Sequence, residues 1–205
     1  RKIGMTASKK KIAVTGGIGS GKSTVTKIIS DLGYPTYSAD EIYAEIISDP
    51  AVIKKASALL GINVLYKDGK AFFDRKEAAK VTFSDKARKK LLENYVHPLV
   101  YEKIDEIFKN SNTTTFFEIP LLFETERQDD FDCVLLVERE EKTRVEAVKK
   151  RSGLTEEEVY ARIKNQFDYK NCEAKNLITI HNDGDLNNLE KAVRECVEEI
   201  CKKNN

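Results

Sequence analysis

Eight residues of this 205-residue chain, Gly16-Gly17-Ile18-Gly19-Ser20-Gly21-Lys22-Ser23, satisfy the pattern G-x-x-x-x-G-K-[ST] at every fixed position. Glycines let the backbone turn sharply, so successive N–H groups converge on phosphate oxygens with no β-carbon in the way. The Lys22 ammonium can reach β- and γ-phosphates, and the Ser23 hydroxyl can ligate Mg²⁺. A glycine-rich turn that binds nothing is the bland alternative, and the flanking elements argue against it. Lys11–Thr15 (KIAVT) is a short apolar run, the mark of a buried strand. Ser23–Leu32 then spaces Val25, Ile28, Ile29 and Leu32 along one helical face, and Gly33 stops that helix. The positive end of the helix supplements the nest of amides. Motif, strand and helix together point to a nucleoside triphosphate.

Asp40 is the second residue with chemical potential. It follows Tyr34–Ser38, a short strand that Pro35 confines to its own beginning. Strand carboxyl ends border the ligand crevice of a parallel sheet, so Asp40 is expected on the rim that carries Lys22. A carboxylate there can accept a hydrogen bond from an acceptor hydroxyl attacking the γ-phosphorus. The competing expectation is that Asp40 only caps the helix Glu41–Ile47.

The elements that must position these residues read as follows. Thr114–Ile119, Cys133–Val137 and Leu177–His181 are three more buried strands, making five in all. Continuous apolar strands separated by helices imply a parallel sheet covered on both faces. The stretch from Asp40 to Asn112 reads as nearly all helix. Asp49-Pro50 opens one helix, Asp74 with Glu77 resembles a capping box, and a longer pattern from Ser84 is interrupted at Pro98 and resumed by Val100. Between Lys142 and Lys175 charge is dense and the apolar face thin. Thr155 and Glu158 form a second capping box there, and a hairpin that buries so little is expected to be mobile.

Composition removes several classes of function. Thirty-five Lys and Arg against 34 Asp and Glu leave no cationic excess for a dedicated nucleic-acid binder. The longest apolar runs have five residues, against the roughly 18 that a membrane helix needs. Four cysteines with no CxxC pair read as reduced thiols in a cytoplasmic protein. Met5 is the only methionine and reads as a native start, with Arg1–Gly4 a remnant and residues 1–10 an N-terminal extension. A GTPase switch would show N-K-x-D and D-x-x-G, and neither occurs.

In chain order, TGGIGSGKST at 15–24, the SAD segment ending at Asp40, FDRKEAAKVTF at 73–83, VHPLV at 96–100, EIPLLFE at 118–124, the 142–166 segment with Arg151 and Gln166, and HNDGDL at 181–186 resemble the dephospho-CoA kinase family. The resemblance covers essentially the whole chain from Lys11. It implies ATP-dependent phosphorylation of the ribose 3′-hydroxyl of dephospho-CoA, the last step of coenzyme A synthesis, with ATP and Mg²⁺ as its requirements. It also implies a P-loop kinase core at 11–40, 112–141 and 176–205, a helical substrate-binding insertion at 41–111 and a helical lid at 142–175, all within one domain, 11–205. A nucleoside or nucleotide kinase is the runner-up and would place phosphate on a 5′ position instead.

Position by position, the resemblance assigns Thr15, Gly17, Gly19, Ser20, Gly21, Lys22, Ser23 and Thr24 to the ATP phosphates and Mg²⁺, with Asn182 near the adenine. Asp40 matches the family's base. Arg75, His97, Pro120 and Leu121 match the acceptor site, and Arg151 matches a lid arginine that approaches the phosphates. Glu118 is either a water-mediated Mg²⁺ ligand or a structural acceptor. The chain also departs from its relatives: Ser38 stands where an aspartate is common, Leu177 replaces another, and Ala147 and Tyr169 occupy places where arginines are expected. Arg144 lies three residues before Ala147 and is the expected substitute on that helical face.

Overall fold

The computed structural model describes residues 8–202, so Met5 and the four residues before it lie outside the described part. Along the chain, β1 (Lys11–Thr15), α1 (Lys22–Asp31) and β2 (Thr36–Ser38) come first. They lead into α2 (Ala39–Ile46), α3 (Pro50–Leu60), β3 (Leu65–Lys67), β4 (Lys70–Phe72), α4 (Arg75–Ser84) and α5 (Lys86–Asn110). Then follow β5 (Thr115–Glu118), β6 (Cys133–Glu138), α6 (Glu141–Ser152), α7 (Glu156–Lys164), β7 (Leu177–His181) and α8 (Leu186–Lys202). Two compact units result: one runs to Ser38 and resumes at Ser111, and the other is Ala39–Asn110.

The first unit is built on five parallel strands in the order β2-β5-β1-β6-β7. Their apolar runs explain this: Ile12–Val14, Phe116, Phe117 and Val134–Val137 are buried on both faces, as a sheet covered by helices demands. On one face Ile12, Val14, Phe116 and Leu135 pack with α1 (Val25, Ile28, Ile29) and with the stripe Leu189, Val193, Cys196, Val197 and Ile200 of α8. That stripe keeps helical spacing from Leu189 to Ile200 of the seventeen-residue helix, so α8 exists by amphipathicity. Truncating Phe116 to alanine in such a core costs about 3–5 kcal/mol. The neighbours of β1 are β5 on one side and β6 on the other, and the connections from β1 to β2 and from β5 to β6 run in opposite directions across the sheet. A crevice opens at the carboxyl end of a strand where this happens, and the glycine loop sits there.

The second unit packs α2–α5 around Ile42, Ile53, Ala56, Leu60, Leu92, Val96, Val100 and Ile104. Asp49 caps α3 by accepting from the N–H groups of Ala51 and Val52, with Pro50 in the first turn and Gly61 ending the helix at φ +65°. Asp74 accepts from Glu77 N (2.9 Å), but the Glu77 carboxylate turns to Lys80, so this capping box is half made. Two expectations are corrected here. Helix α5 runs unbroken through Pro98. Proline removes one backbone donor, and buried residues on either side of it, Val96 and Val100 among them, hold the helix together. The stretch between α3 and α4 is a β3–β4 hairpin rather than helix. Its two-residue turn, Asp68-Gly69, takes positive φ at both positions (50° and 74°), as a tight hairpin requires.

In the first unit, the α6–α7 hairpin buries more than its composition suggests. Val145, Val148 and Val159 form a cluster with Leu154, Ile163 and Ile18 of the glycine loop. Few apolar residues suffice because they converge at one place. The Thr155–Glu158 capping box is complete in both directions.

Candidate active site

Gly21 adopts φ +99° at the N-cap of α1, which turns the chain from loop to helix without an acidic residue in the first turn. The helix therefore offers its positive end with no carboxylate of its own to cancel it. A β-carbon at Gly21 would run into the Asn182 amide, and one at Gly17 into the Arg144 guanidinium, so both neighbours approach the loop as closely as a bare backbone allows. The Lys22 ammonium donates to the carbonyls of Gly16 (2.8 Å) and Gly17 (3.1 Å), which holds it folded over the loop. Asn182, buried after β7, donates from Nδ2 to the Ser20 carbonyl (2.8 Å). Ser20 Oγ is itself buried with no hydrogen-bond partner among the described residues.

Glu118 closes β5 and pairs in register with Ser38 of β2. Its two carboxylate oxygens accept from Ser23 Oγ and Thr26 Oγ1, both at 2.9 Å, so it supports the first turn of α1 directly. The Ser23 hydroxyl and this carboxylate form a pair of hard oxygen donors beside the loop. Thr24 is exposed, and its N–H donates to the Gly21 carbonyl.

The segment 142–175 grips the loop at one residue. Arg144 Nε donates to the Ile18 carbonyl (2.9 Å), and Gln166 Oε1 accepts from the Ile18 N–H (2.8 Å). Ile18 thus has both backbone groups bonded to the segment 142–175 while its side chain sits in the valine cluster. Burial draws the Arg144 guanidinium below its ordinary value, and Glu141, Tyr169 and Glu138 oppose this. Arg144, Gly17, Ser20, Glu138, Asp168 and His181 help to line a cavity of about 710 Å³. Arg151 is exposed in the last turn of α6 and does not line it.

Tyr169 stands where an arginine is expected. Its hydroxyl donates to the Pro120 carbonyl (3.4 Å), and its ring meets Phe123 and Phe167 edge-on. Burial and Glu124 push its pKa up to about 12, although the nearby Thr15 hydroxyl and Arg144 pull the other way. Thr15 itself is buried without a hydrogen bond of good geometry. The Pro120 backbone is thereby tied to Tyr169, and Leu121 beside it is exposed.

In the second unit, Asp40 is the second residue of α2 rather than its cap. It shares a helical face with Tyr43, three residues on. Burial raises the Tyr43 phenol, and Arg75 in the first turn of α4 lowers it. His97 is half-buried in α5, where burial pushes its imidazole below the ordinary value and Glu93, one turn earlier, pulls it up. The structure thus gathers Thr15, Gly17, Ser20, Lys22, Ser23 and Asn182 around one loop. Reasoning from spacing missed the role of Gln166, whose partner lies 148 residues away and leaves no local pattern.

The comparisons extend this loop to the rest of the chain. A family model described as dephospho-CoA kinase matches residues 10–188. A dephospho-CoA kinase of Listeria monocytogenes is 31% identical over 199 residues, covering 94% of this chain and 98% of that one. A solved dephospho-CoA kinase from Campylobacter jejuni is 30% identical with a TM-score of 0.70, covering 95% of this chain and 98% of its own. A solved structure from Thermus thermophilus is 34% identical with a TM-score of 0.79, covering 94% and 98%. Similarity at this level reaches across the sheet, the helical unit and the α6–α7 hairpin alike, and the chain belongs to the dephospho-CoA kinase family.

Proposed function

We propose that the chain transfers the γ-phosphoryl group of ATP to the ribose 3′-hydroxyl of dephospho-CoA, giving coenzyme A and ADP. The observation that carries this reading is the open amide loop at the carboxyl end of β1, with Lys22 folded over it and the positive end of α1 behind it. In phosphoryl transfer the protein mainly positions groups and stabilises charge, and this loop is suited to both. Lys22 exchanges its two loop carbonyls for phosphate oxygens when ATP arrives. Asp40 orients the acceptor hydroxyl and takes its proton as the new P–O bond forms and the bond to the β-phosphate oxygen breaks. Arg144 adds positive charge from the lid beside Gly17, in the place that Ala147 leaves without a cation. Asn182 holds the loop through Ser20.

Ser23 and Glu118 are hard oxygen donors that fit Mg²⁺ and would hold it beside the loop. The ion supplies charge neutralisation on the phosphates. Among the described residues no helix is long and apolar enough to cross a membrane, and all four cysteines are free thiols. We assign the reaction to the cytoplasm, with no nucleic-acid partner. The test is a product assay with ATP, Mg²⁺ and dephospho-CoA, followed by locating the new phosphate. Phosphate on the 3′ oxygen is expected; transfer only to a 5′ position of a nucleoside or nucleotide overturns the assignment.

A further inference from the structure

Tyr169, which stands where an arginine is expected, rests on an aromatic shelf. Phe123 and Phe167 stack on each other, with centroids 5.1 Å apart and planes at 14°, and Tyr169 meets them edge-on at 6.1 Å and 5.5 Å. Glu124 Oε1 accepts from the Phe167 N–H (3.3 Å), which fixes the shelf to the loop after β5. A ring with only two side-chain torsions, packed in this way, keeps its hydroxyl in one place.

That place is the carboxyl edge of the sheet, between two adjacent strands. β1 and β5 run parallel with Val14 beside Glu118, and the Ile119 N–H donates to the Val14 carbonyl (2.9 Å). Beyond this last rung the strands part. Thr15 leads into the glycine loop, and Pro120 leads to Leu121. The Tyr169 hydroxyl donates to the Pro120 carbonyl (3.4 Å). Burial and Glu124 push the phenol up to about 12, and the Thr15 hydroxyl beside it pulls the other way, so it stays a neutral donor at physiological pH. Three residues earlier, Gln166 accepts from Ile18 of the glycine loop (2.8 Å). The short segment 166–169 is thereby bonded to the chain that follows each strand.

In phosphoryl transfer the attacking oxygen and the γ-phosphorus must meet in line, and a misplacement of about 1 Å can cost 10²-fold in rate. Resting on the reaction assigned above, in which the exit of β1 carries the donor and Pro120 and Leu121 belong to the acceptor side, we propose that Tyr169 is a positioning residue whose hydroxyl sets the spacing of these two strand exits. Each substrate keeps its own contacts when the hydroxyl is lost, so the effect falls on turnover rather than on binding. The phenol makes this link without adding a second cation beside Arg144, as an arginine would.

The test separates the hydroxyl from the ring. Tyr169→Phe keeps the shelf and removes the donor. Tyr169→Arg gives up the ring but supplies N–H donors again on a group that stacks against aromatic faces, with Glu124 nearby to offset its charge. In steady-state kinetics with ATP and dephospho-CoA, Tyr169→Phe should lower kcat about fivefold, the worth of one neutral hydrogen bond, with both KM values within about twofold of wild type. Its melting temperature should stay close to that of the wild type, because the shelf is intact. Tyr169→Arg should recover most of the lost kcat. A packing role predicts the reverse order, with Tyr169→Phe equal to wild type and Tyr169→Arg impaired, and that order overturns the proposal. So does a raised KM for one substrate with kcat unchanged, which would confine the hydroxyl to a single site. Wild-type turnover of dephospho-CoA is the internal reference. Its absence sinks the reaction assignment and the proposal with it, whereas wild-type turnover matched by Tyr169→Phe sinks only the assignment of Tyr169.

Discussion

The glycine loop and the Tyr169 shelf are made of opposite materials. The loop's polar groups are main-chain amides, and distant side chains hold them in place: Arg144 and Gln166 on Ile18, Asn182 on Ser20. The shelf is built of side chains, three rings that place one hydroxyl against the Pro120 carbonyl. A site built of backbone is specific for a group common to all nucleotides, and a change at one supporting side chain leaves most of its donors in place. A contact built of one side chain is lost with one substitution. Phosphate binding and the placement of the strand exits should therefore fail separately, and by different amounts.

The largest effect should come from the one loop side chain that reaches the phosphates. Lys22→Ala should lower turnover by about 10³–10⁵-fold, the range a transition-state cation contributes to phosphoryl transfer. Its fold, followed by circular dichroism, should stay intact. A folded variant with near wild-type activity would remove the loop from the mechanism and end the comparison. Asp40→Asn should come next, lowering kcat by roughly 10²–10⁴-fold with KM for ATP almost unchanged, because Asp40 is assigned to the acceptor hydroxyl. Loss of ATP binding with kcat within a few-fold of wild type would move Asp40 to the metal.

The same division explains what the sequence discloses. Where the backbone carries the structure, the signals are local. Four of the five sheet strands carry apolar runs, the loop is a run of glycines closed by Lys22 and Ser23, and the Thr155–Glu158 box spans one turn. The hairpin escaped because its strands have three residues each and mostly exposed side chains, so no periodicity develops. Asp68-Gly69 was the local signal that could have found it. Pro98 misled for the opposite reason: a strong local breaker is outvoted by burial along the rest of α5, which a residue-by-residue reading does not sum. The grip of Gln166 and Arg144 on Ile18 joins residues more than a hundred positions apart, and only the fold brings them together.

That grip gives a finer test of the backbone-built site. Arg144→Ala should lower kcat about tenfold or more, because it removes both the bond to Ile18 and a cation at Gly17. Gln166→Ala loses one hydrogen bond, about 1 kcal/mol, and should raise KM for ATP a few-fold with a smaller change in kcat. Arg151→Ala is the control that sharpens this. If Arg151→Ala depresses kcat while Arg144→Ala retains it in full, Arg144 is not the lid arginine and the substitution for Ala147 fails.

The smallest effect concerns His97, which belongs to the helical unit and should register in stability. Burial lowers its folded pKa below the ordinary 6.5, with Glu93 opposing, so the fold favours the neutral ring. As pH falls, the unfolded chain takes up the proton first, and each proton bound only by the unfolded state weakens folding. His97 therefore contributes a stability that is fully present above 6.5 and is lost as pH falls through the lowered folded value. His97→Gln cannot titrate and should not show this loss. Melting temperatures of both proteins, measured between about pH 7.5 and 5, should converge or cross toward the acid side, with the wild type losing more. Parallel curves would mean that the ring binds its proton equally in both states, and that α5 packs too loosely around His97 for burial to govern it.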